Sequence, residues 1–177
     1  MTFYLVYPLL LYICPVRGKD HSITLVLLND RCQKVLNLLK KTLDYMESRD
    51  YSKEYIEANV ESHSASVLIE RAKSSHMYVV CDGELIIGCG AITGYWGSLT
   101  ESILLTIFVL PEYHNKGVGK QIICTLEADE YFARANRIEI PASITALDFY
   151  MHMGYGYKDG VKTFDEEEQV YRLEKRK

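Results

Sequence analysis

The hydrophobic pattern of the chain is clearest over residues 104–133, where an apolar run is followed by a turn and a periodic segment. Residues 104–110 (LLTIFVL) are an almost unbroken apolar and β-branched run, which is typical of a central strand buried on both faces of a sheet. Pro111 ends the run, because proline cannot donate a hydrogen bond to the sheet. Apolar residues then return at helical spacing: Val118, Ile122 and Leu126, with Ala133 further along. The pattern predicts a strand, a polar turn and a helix.

Upstream of this unit, the pattern predicts a strand, two or three helices and a hairpin. The apolar residues Val35, Leu38, Leu39 and Leu43 share one face of the first of these helices. Asp82-Gly83 is a hairpin signal between two strand-like segments. The predicted elements are a strand at His21–Leu28, a helix from about Arg31 to Met46, one or two helices within Ser48–Ser75, and hairpin strands at Met77–Cys81 and Glu84–Thr93.

Within the second hairpin strand, Gly88 and Gly90 indicate either a bulge, a close approach by another backbone, or packing against a large neighbour. Gly94 to Gly97 form the next turn. The tryptophan in that turn, Trp96, could line a substrate mouth, but a single tryptophan in a turn more often fills the core.

Downstream, a short strand and a helix are followed by a closing pair of strands. Ser143 is a candidate cap for the helix, and Gly154 a candidate for the residue just after it. The acidic run 165–168 is expected to be a solvated turn. The predicted elements are a strand at Arg137–Ile140, a helix over 144–153, and strands at Tyr155–Lys158 and Gln169–Glu174.

Composition and charge restrict the class of protein. We expect residues 1–177 to form a single domain, because the length is that of one domain and 48% of the residues are apolar. The formal charge of −4 and the absence of a basic stripe argue against a nucleic-acid-binding protein. Mild acidity suits a cationic amine substrate. The five scattered cysteines predict free thiols in a reducing cytoplasm, and histidine spacing supports no metal site.

The apolar segment Met1–Val16 fits no standard targeting signal. It is too short to span a membrane, contains Pro8 and Pro15, and lacks the charged start and cleavage site of a signal peptide. Three interpretations stay open: an extra strand or extension within residues 1–20, a start site placed too far upstream, or a weak membrane contact. Stable membrane insertion is not expected.

The glycine-rich turn Lys116–Lys120 lies where a helix would begin, which suits a phosphate. Free backbone N–H groups of a first helical turn and the helix dipole both favour an anion. Two familiar glycine motifs do not fit. A nucleoside-triphosphate loop needs a glycine where His114 stands and a serine or threonine where Gln121 stands, and the dinucleotide fingerprint needs a glycine at Ile122.

The turn instead resembles the [QR]-x-x-G-x-[GA] signature of the GNAT superfamily of acyl-CoA-dependent N-acetyltransferases, with His114 in place of glutamine or arginine. A second segment, residues 146–155 (ALDFYMHMGY), resembles the later GNAT pattern A-x-x-F-Y-x-x-x-G-[FY] at the usual distance. Ser143 occupies a place where many relatives have a cofactor-contacting asparagine. The resemblance implies the GNAT acyl-CoA N-acyltransferase fold (α+β or α/β), with a mixed, mostly antiparallel central sheet flanked by helices on both faces.

The resemblance also implies acetyl-CoA as co-substrate, held in a gap between the central strand and its neighbour. Pantetheine amides would pair with the exposed strand edge, and the pyrophosphate would lie on backbone N–H groups of the turn. No metal is implied. The residues expected to contact acetyl-CoA are Ile107, Phe108, Val109, His114, Asn115, Lys116, Gly117, Val118, Gly119, Lys120 and Ser143.

Acetyl transfer to a primary amine would then proceed by direct attack in a ternary complex. A backbone N–H near Val109 would polarise the thioester carbonyl, and Tyr150 is the candidate general acid for the departing thiolate. Glu101 is the candidate general base, with an ordered water as the alternative. The acceptor would be a small-molecule or peptide amine; a homodimer, and a GNAT fold that binds CoA without catalysis, stay open as alternatives.

Overall fold

The computed structural model describes residues 22–25, 32–47, 52 and 64–177. The predicted strand and helices that extend beyond these ranges, and the segment Met1–Val16, lie outside the described residues. The helices are α1 (Cys32–Glu47), α2 (Ala65–Lys73), α3 (Val118–Glu127), α4 (Glu130–Arg134) and α5 (Leu147–His152). The strands are β1 (Ser22–Leu25), β2 (His76–Asp82), β3 (Leu85–Gly94), β4 (Glu101–Val109), β5 (Arg137–Ser143), β6 (Gly156–Tyr157), β7 (Phe164–Asp165) and β8 (Val170–Arg176).

The strands form one mixed, mostly antiparallel sheet in the order β1-β2-β3-β4-β5-β8-β6, with β7 also paired to β8. Only β4 and β5 run parallel among the described pairs. Helices cover both faces of this sheet, as the fold class predicted. None of the helices in the described ranges is long and apolar enough to cross a membrane.

The parallel pair β4–β5 is joined along only part of its length. Register partners run from Glu101–Arg137 to Ile103–Glu139 and no further. Beyond them β4 continues to Val109, while β5 continues to Ser143 with β8 as its partner. Within the described part of the chain, the edge of β4 from residue 104 onward therefore faces an open gap instead of a strand.

The core lies between the sheet and its helices, and α3 approaches β3 very closely. An added Cβ at Gly90 would lie 2.5 Å from Ile122 Cγ2, and one at Gly88 would lie 2.9 Å from Ile122 Cδ1. The register of β3 against β4 also shifts between Cys89 and Ala91, which marks a bulge. The two glycines therefore fit one interpretation that the sequence left open, packing against a large neighbour, whereas the extra residue of this bulge belongs to β4 and lies opposite Gly90.

Most predicted elements occur close to their predicted bounds, with two departures. The helix predicted from Val118 toward Ala133 is in fact two helices, α3 and α4. Asp129 lies between them and caps α4 by accepting a hydrogen bond from the backbone N–H of Tyr131 at 2.8 Å. The prediction that Trp96 more often fills the core is wrong here: the residue is 77% exposed and has φ of +42°.

Candidate functional site

The turn between β4 and α3 forms a shallow cradle of backbone N–H groups, here called the cradle (residues 115–120). Gly117, with φ of +85°, is the residue from which α3 begins. The first intrahelical bond there runs from the N–H of Gln121 to the carbonyl of Gly117, at 3.0 Å. The preceding N–H groups, of residues 117–120, therefore have no partner within the helix. Asn115, Lys116 and Lys120 are exposed, so the cradle is open to solvent.

The two glycines of the cradle are required for different physical reasons. Gly117 adopts a left-handed conformation, which an L side chain rarely tolerates. A Cβ on Gly119 would lie 3.1 Å from Cζ of Phe149, a residue of α5. Gly119 therefore lets α5 pack against the first turn of α3, in addition to keeping side chains away from a ligand.

The open edge of β4 begins beside the cradle. Leu110 donates its backbone N–H to the carbonyl of Ile87 in β3, at 2.9 Å. Because backbone groups alternate along a strand, the N–H and C=O groups of Val109 point the other way, into the gap. Ile107 and Phe108 lie along the same edge and are half-buried, so the three predicted strand residues border the gap.

His114 connects the cradle to this edge rather than pointing at a phosphate. Its Nε2 lies 3.0 Å from the carbonyl oxygen of Val109, and since a carbonyl can only accept, Nε2 carries the proton. Its ring also packs edge-on against Tyr45 of α1, with 5.5 Å between ring centroids. The structure thus places His114 as a residue that fixes the turn relative to β4.

Tyr150 is a buried phenol on the helix next to the cradle. Its side chain is 5% exposed, and burial raises the pKa of its hydroxyl above the ordinary value. Its ring lies 5.1 Å from that of Phe149, the residue that contacts the cradle. No hydrogen-bond partner of the Tyr150 hydroxyl occurs among the described residues. A protonated hydroxyl of this kind can donate a proton.

The remaining predicted residues lie at the margins of the gap. Ser143 is the last residue of β5 and is half-buried, on the strand opposite the open edge. Glu101 lies at the closed end, where β4 and β5 still pair, and its carboxylate binds Nη1 of Arg137 at 2.8 Å. The structure therefore places the cradle beside the β4 edge and links Tyr150 to the cradle through Phe149, whereas Glu101 belongs to a separate ion-pair cluster.

That ion-pair cluster was not anticipated from the sequence. Arg137 is 8% exposed and is bonded to Glu101, Glu139 and Glu174. Burial lowers the pKa of its guanidinium, but the hydrogen bonds to Glu174 and Glu139 outweigh that effect and raise the pKa overall. Alternation of charged residues along β5 was the only sequence signal for the cluster.

A second missed feature is the bulge residue Thr106 in β4. Its φ is +56°, which is an outlier for a β-branched residue. Two side chains hold it: Nη1 of Arg71 donates to its Oγ1 at 2.8 Å, and Sγ of Cys89 donates to its carbonyl at 3.3 Å. The glycines of β3 hinted at a bulge, but nothing in the sequence pointed to Arg71.

The described residues contain no group of three side chains placed to hold a metal ion.

The two lysines of the cradle lie at its surface. Nζ of Lys116 lies 5.0 Å from the ring centroid of Tyr113, and Lys120 is exposed on the first turn of α3. Both remain able to approach an anion, because neither is held by an acidic residue in the described part of the chain.

Part of the chain is similar in sequence to a known domain family. Residues 73–156 match the sequence model of the acetyltransferase (GNAT) domain, and these residues include the hairpin, the cradle and Tyr150. A comparison with curated proteins gave no match.

Solved structures share the fold over most of the chain. The PaiA N-acetyltransferase from Thermoplasma acidophilum, solved in complex with coenzyme A, has a TM-score of 0.72 at 19% identity, covering 88% of this chain and 99% of that one. A GCN5-related N-acetyltransferase structure from Rhodopseudomonas palustris has a TM-score of 0.73 at 18% identity, covering 89% and 96%. An acetyltransferase from Streptococcus agalactiae has a TM-score of 0.68 at 12% identity, covering 90% and 99%. The glycine turn, the divided β4–β5 pair and the domain match over residues 73–156 thus all resemble GNAT acetyltransferases, and the solved structures share the fold.

Proposed function

We propose that this protein transfers an acetyl group from acetyl-CoA to a primary amine, by direct attack in a ternary complex. The observation that carries the proposal is the unpaired edge of β4, which leads directly into the cradle. This arrangement offers main-chain hydrogen bonds to an extended amide chain and N–H groups to a phosphate at the end of that chain.

The residues present fit acetyl-CoA in three respects. Backbone N–H groups of Asn115–Lys120 would hold the pyrophosphate, with Lys116 and Lys120 adding positive charge. Backbone groups of Ile107 and Val109 would pair with the pantetheine amides along the open edge, and Ser143 at the end of β5 would also contact the cofactor. Acetyl-CoA supplies the acyl group as a thioester; the chain supplies its position and its polarisation.

Within that complex, the amine nitrogen forms a bond to the acetyl carbonyl carbon while the carbon–sulfur bond breaks. A backbone N–H of the open β4 edge near Val109 would stabilise the charge on the carbonyl oxygen. Tyr150 would give its proton to the departing sulfur, since burial keeps its phenol protonated. The amine must also lose a proton. Glu101 is the candidate side chain for that role, but its ion pair with Arg137 favours a water molecule.

Other properties of the proposal follow from the described residues. The acceptor is a small molecule or a peptide, since nothing in the charge pattern suits a nucleic acid. Cys89 is a buried thiol that forms no disulfide, which supports a reducing compartment such as the cytoplasm.

The experiment is a screen of amine acceptors with acetyl-CoA, in which released thiol is measured. We expect turnover with at least one primary amine and none without acceptor. Binding of acetyl-CoA with no thiol released from any amine would instead support the alternative, a CoA-binding GNAT module without catalysis.

A further inference from the structure

A cavity of about 680 Å³, open to solvent, lies between α2 and the two central strands β3 and β4. Its lining includes Val67, Glu70 and Arg71 from α2, Thr93 from β3 and Leu105 from β4. Leu105 pairs with Ala91, the neighbour of Gly90, and side chains alternate along a strand. The cavity is therefore on the face of the sheet opposite α3.

Among the described residues, Arg71 is the charged group lining this cavity that has no counter-ion. Its Nη1 is bound to the neutral hydroxyl of Thr106, and no carboxylate in the described part of the chain is paired with it. Glu70, the acidic residue beside it, is bound to Lys73 at 2.6 Å instead. Arg71 is partly buried, so its charge is partly removed from water, and this burial lowers the pKa of its guanidinium. A bound anion would relieve that cost.

The guanidinium is also held in a defined orientation. Thr106 engages Nη1, which leaves Nε and Nη2 without a partner among the described residues. These two groups point along one edge of the planar guanidinium and match the two oxygens of a carboxylate.

The cavity is close to the place where acyl transfer would occur. Thr106 is three residues before Val109 on β4, a separation of about 10 Å along a strand. Pantetheine that starts at the cradle and follows the open edge runs in this direction, toward the bulge. A ligand bound to Arg71 would therefore lie beside the acyl end of the carrier.

We propose that this cavity is the acceptor site and that Arg71 binds a carboxylate of the acceptor, so that the substrate is an amine bearing a carboxylate, such as a free amino acid. The inference rests on the proposed function and narrows its substrate class. An unpaired cation in this position would disfavour purely cationic amines, and it would lower the pKa of a nearby ammonium group, which favours the uncharged amine needed for attack.

The test compares amino acids with their carboxamides as acceptors, in matched pairs at one pH, with thiol release as the readout. We expect kcat/KM to be about 10- to 100-fold higher for the carboxylate member of a pair, as for a charge-assisted hydrogen bond. Arg71→Gln should remove this preference by raising the KM of the carboxylate acceptor. The KM of acetyl-CoA and the rates with carboxamides should stay within about twofold. Lys40→Gln makes the same change of charge at an exposed position of α1, away from the cavity, and should leave the preference intact.

The results separate this inference from the proposed function. Equal or better turnover of carboxamides by the wild type, or an unchanged preference in Arg71→Gln, would overturn the carboxylate site and leave acetyl transfer standing. Acetyl-CoA binding without turnover of any carboxylate acceptor would also overturn it. A wild type that neither binds acetyl-CoA, by calorimetry, nor releases thiol with any amine would overturn both proposals.

Discussion

Gly117 is the residue at which the phosphate-binding role of the cradle can be separated from its structural role. Its φ of +85° and ψ of −4° lie in the left-handed region. A Cβ there costs about 1–2 kcal/mol of stability, which Gly117→Ala should show as a lower free energy of unfolding in urea. If the backbone relaxes to a negative φ, the N–H groups of residues 117 and 118 turn away from the phosphate.

The loss of affinity can be worked out from those N–H groups. A hydrogen bond to a charged group contributes about 1.5–3 kcal/mol, so losing one weakens acetyl-CoA binding by about 10- to 150-fold. The matched control is Gly160→Ala, because Gly160 also has a positive φ, of +72°, and open space around its Cβ. The control should lose similar stability and no affinity in calorimetry. Unchanged affinity in Gly117→Ala, or an equal loss in Gly160→Ala, would refute the reasoning.

Three further substitutions test separate parts of the structure. Tyr150→Phe should lower kcat by about 100-fold or more with unchanged acetyl-CoA affinity. Because burial raises the pKa of this phenol, deprotonation of Tyr150 should not lower the wild-type rate below about pH 10. Full turnover in the variant would exclude Tyr150 as the acid. Gly90→Ala should cost about 1–3 kcal/mol in urea unfolding, since its Cβ would lie 2.5 Å from an α3 side chain, whereas Gly156→Ala meets no atom within 4 Å and should be nearly neutral. Asp129→Ala should cost about 2–4 kcal/mol, because its buried carboxylate accepts bonds from two β2 side chains and caps α4; a cost below 1 kcal/mol would contradict this.

The parts of the fold that the sequence predicted well are those with strong periodicity. α1 was predicted from about Arg31 to Met46 and runs from Cys32 to Glu47, and its four predicted core residues are each 2% exposed. The end of the central strand was predicted to within one residue, because Pro111 ends the apolar run and β4 ends at Val109. In these segments local pattern and tertiary packing demand the same residues.

The division of the helix after β4 and the exposure of Trp96 could not be predicted, because the hydrophobic pattern is the same for one helix or two and for a buried or an exposed tryptophan. Apolar spacing continues from Leu126 to Ala133, so only the cap formed by Asp129 reveals that there are two helices. Trp96 is large and apolar, yet its strained turn leaves the indole in solvent, against the usual tendency of such residues.

The candidate site was predictable in part. The cradle was identified from its glycines, because backbone conformation and close approach restrict those positions to glycine. The gap beside β4 was predicted only from the family resemblance, because the sequence of an apolar strand does not show whether the edge of that strand is paired or open. Arg71 and Thr106 could not be linked from sequence, because they meet through a contact between residues 35 positions apart.

Calorimetric titration of the wild-type protein with acetyl-CoA tests the central claim most directly, that the cradle and the open β4 edge together bind this carrier. We predict saturable binding of one molecule per chain, with a thermal unfolding midpoint that rises with ligand concentration because only the folded state binds. No heat of binding and no shift of the midpoint at millimolar acetyl-CoA would contradict it.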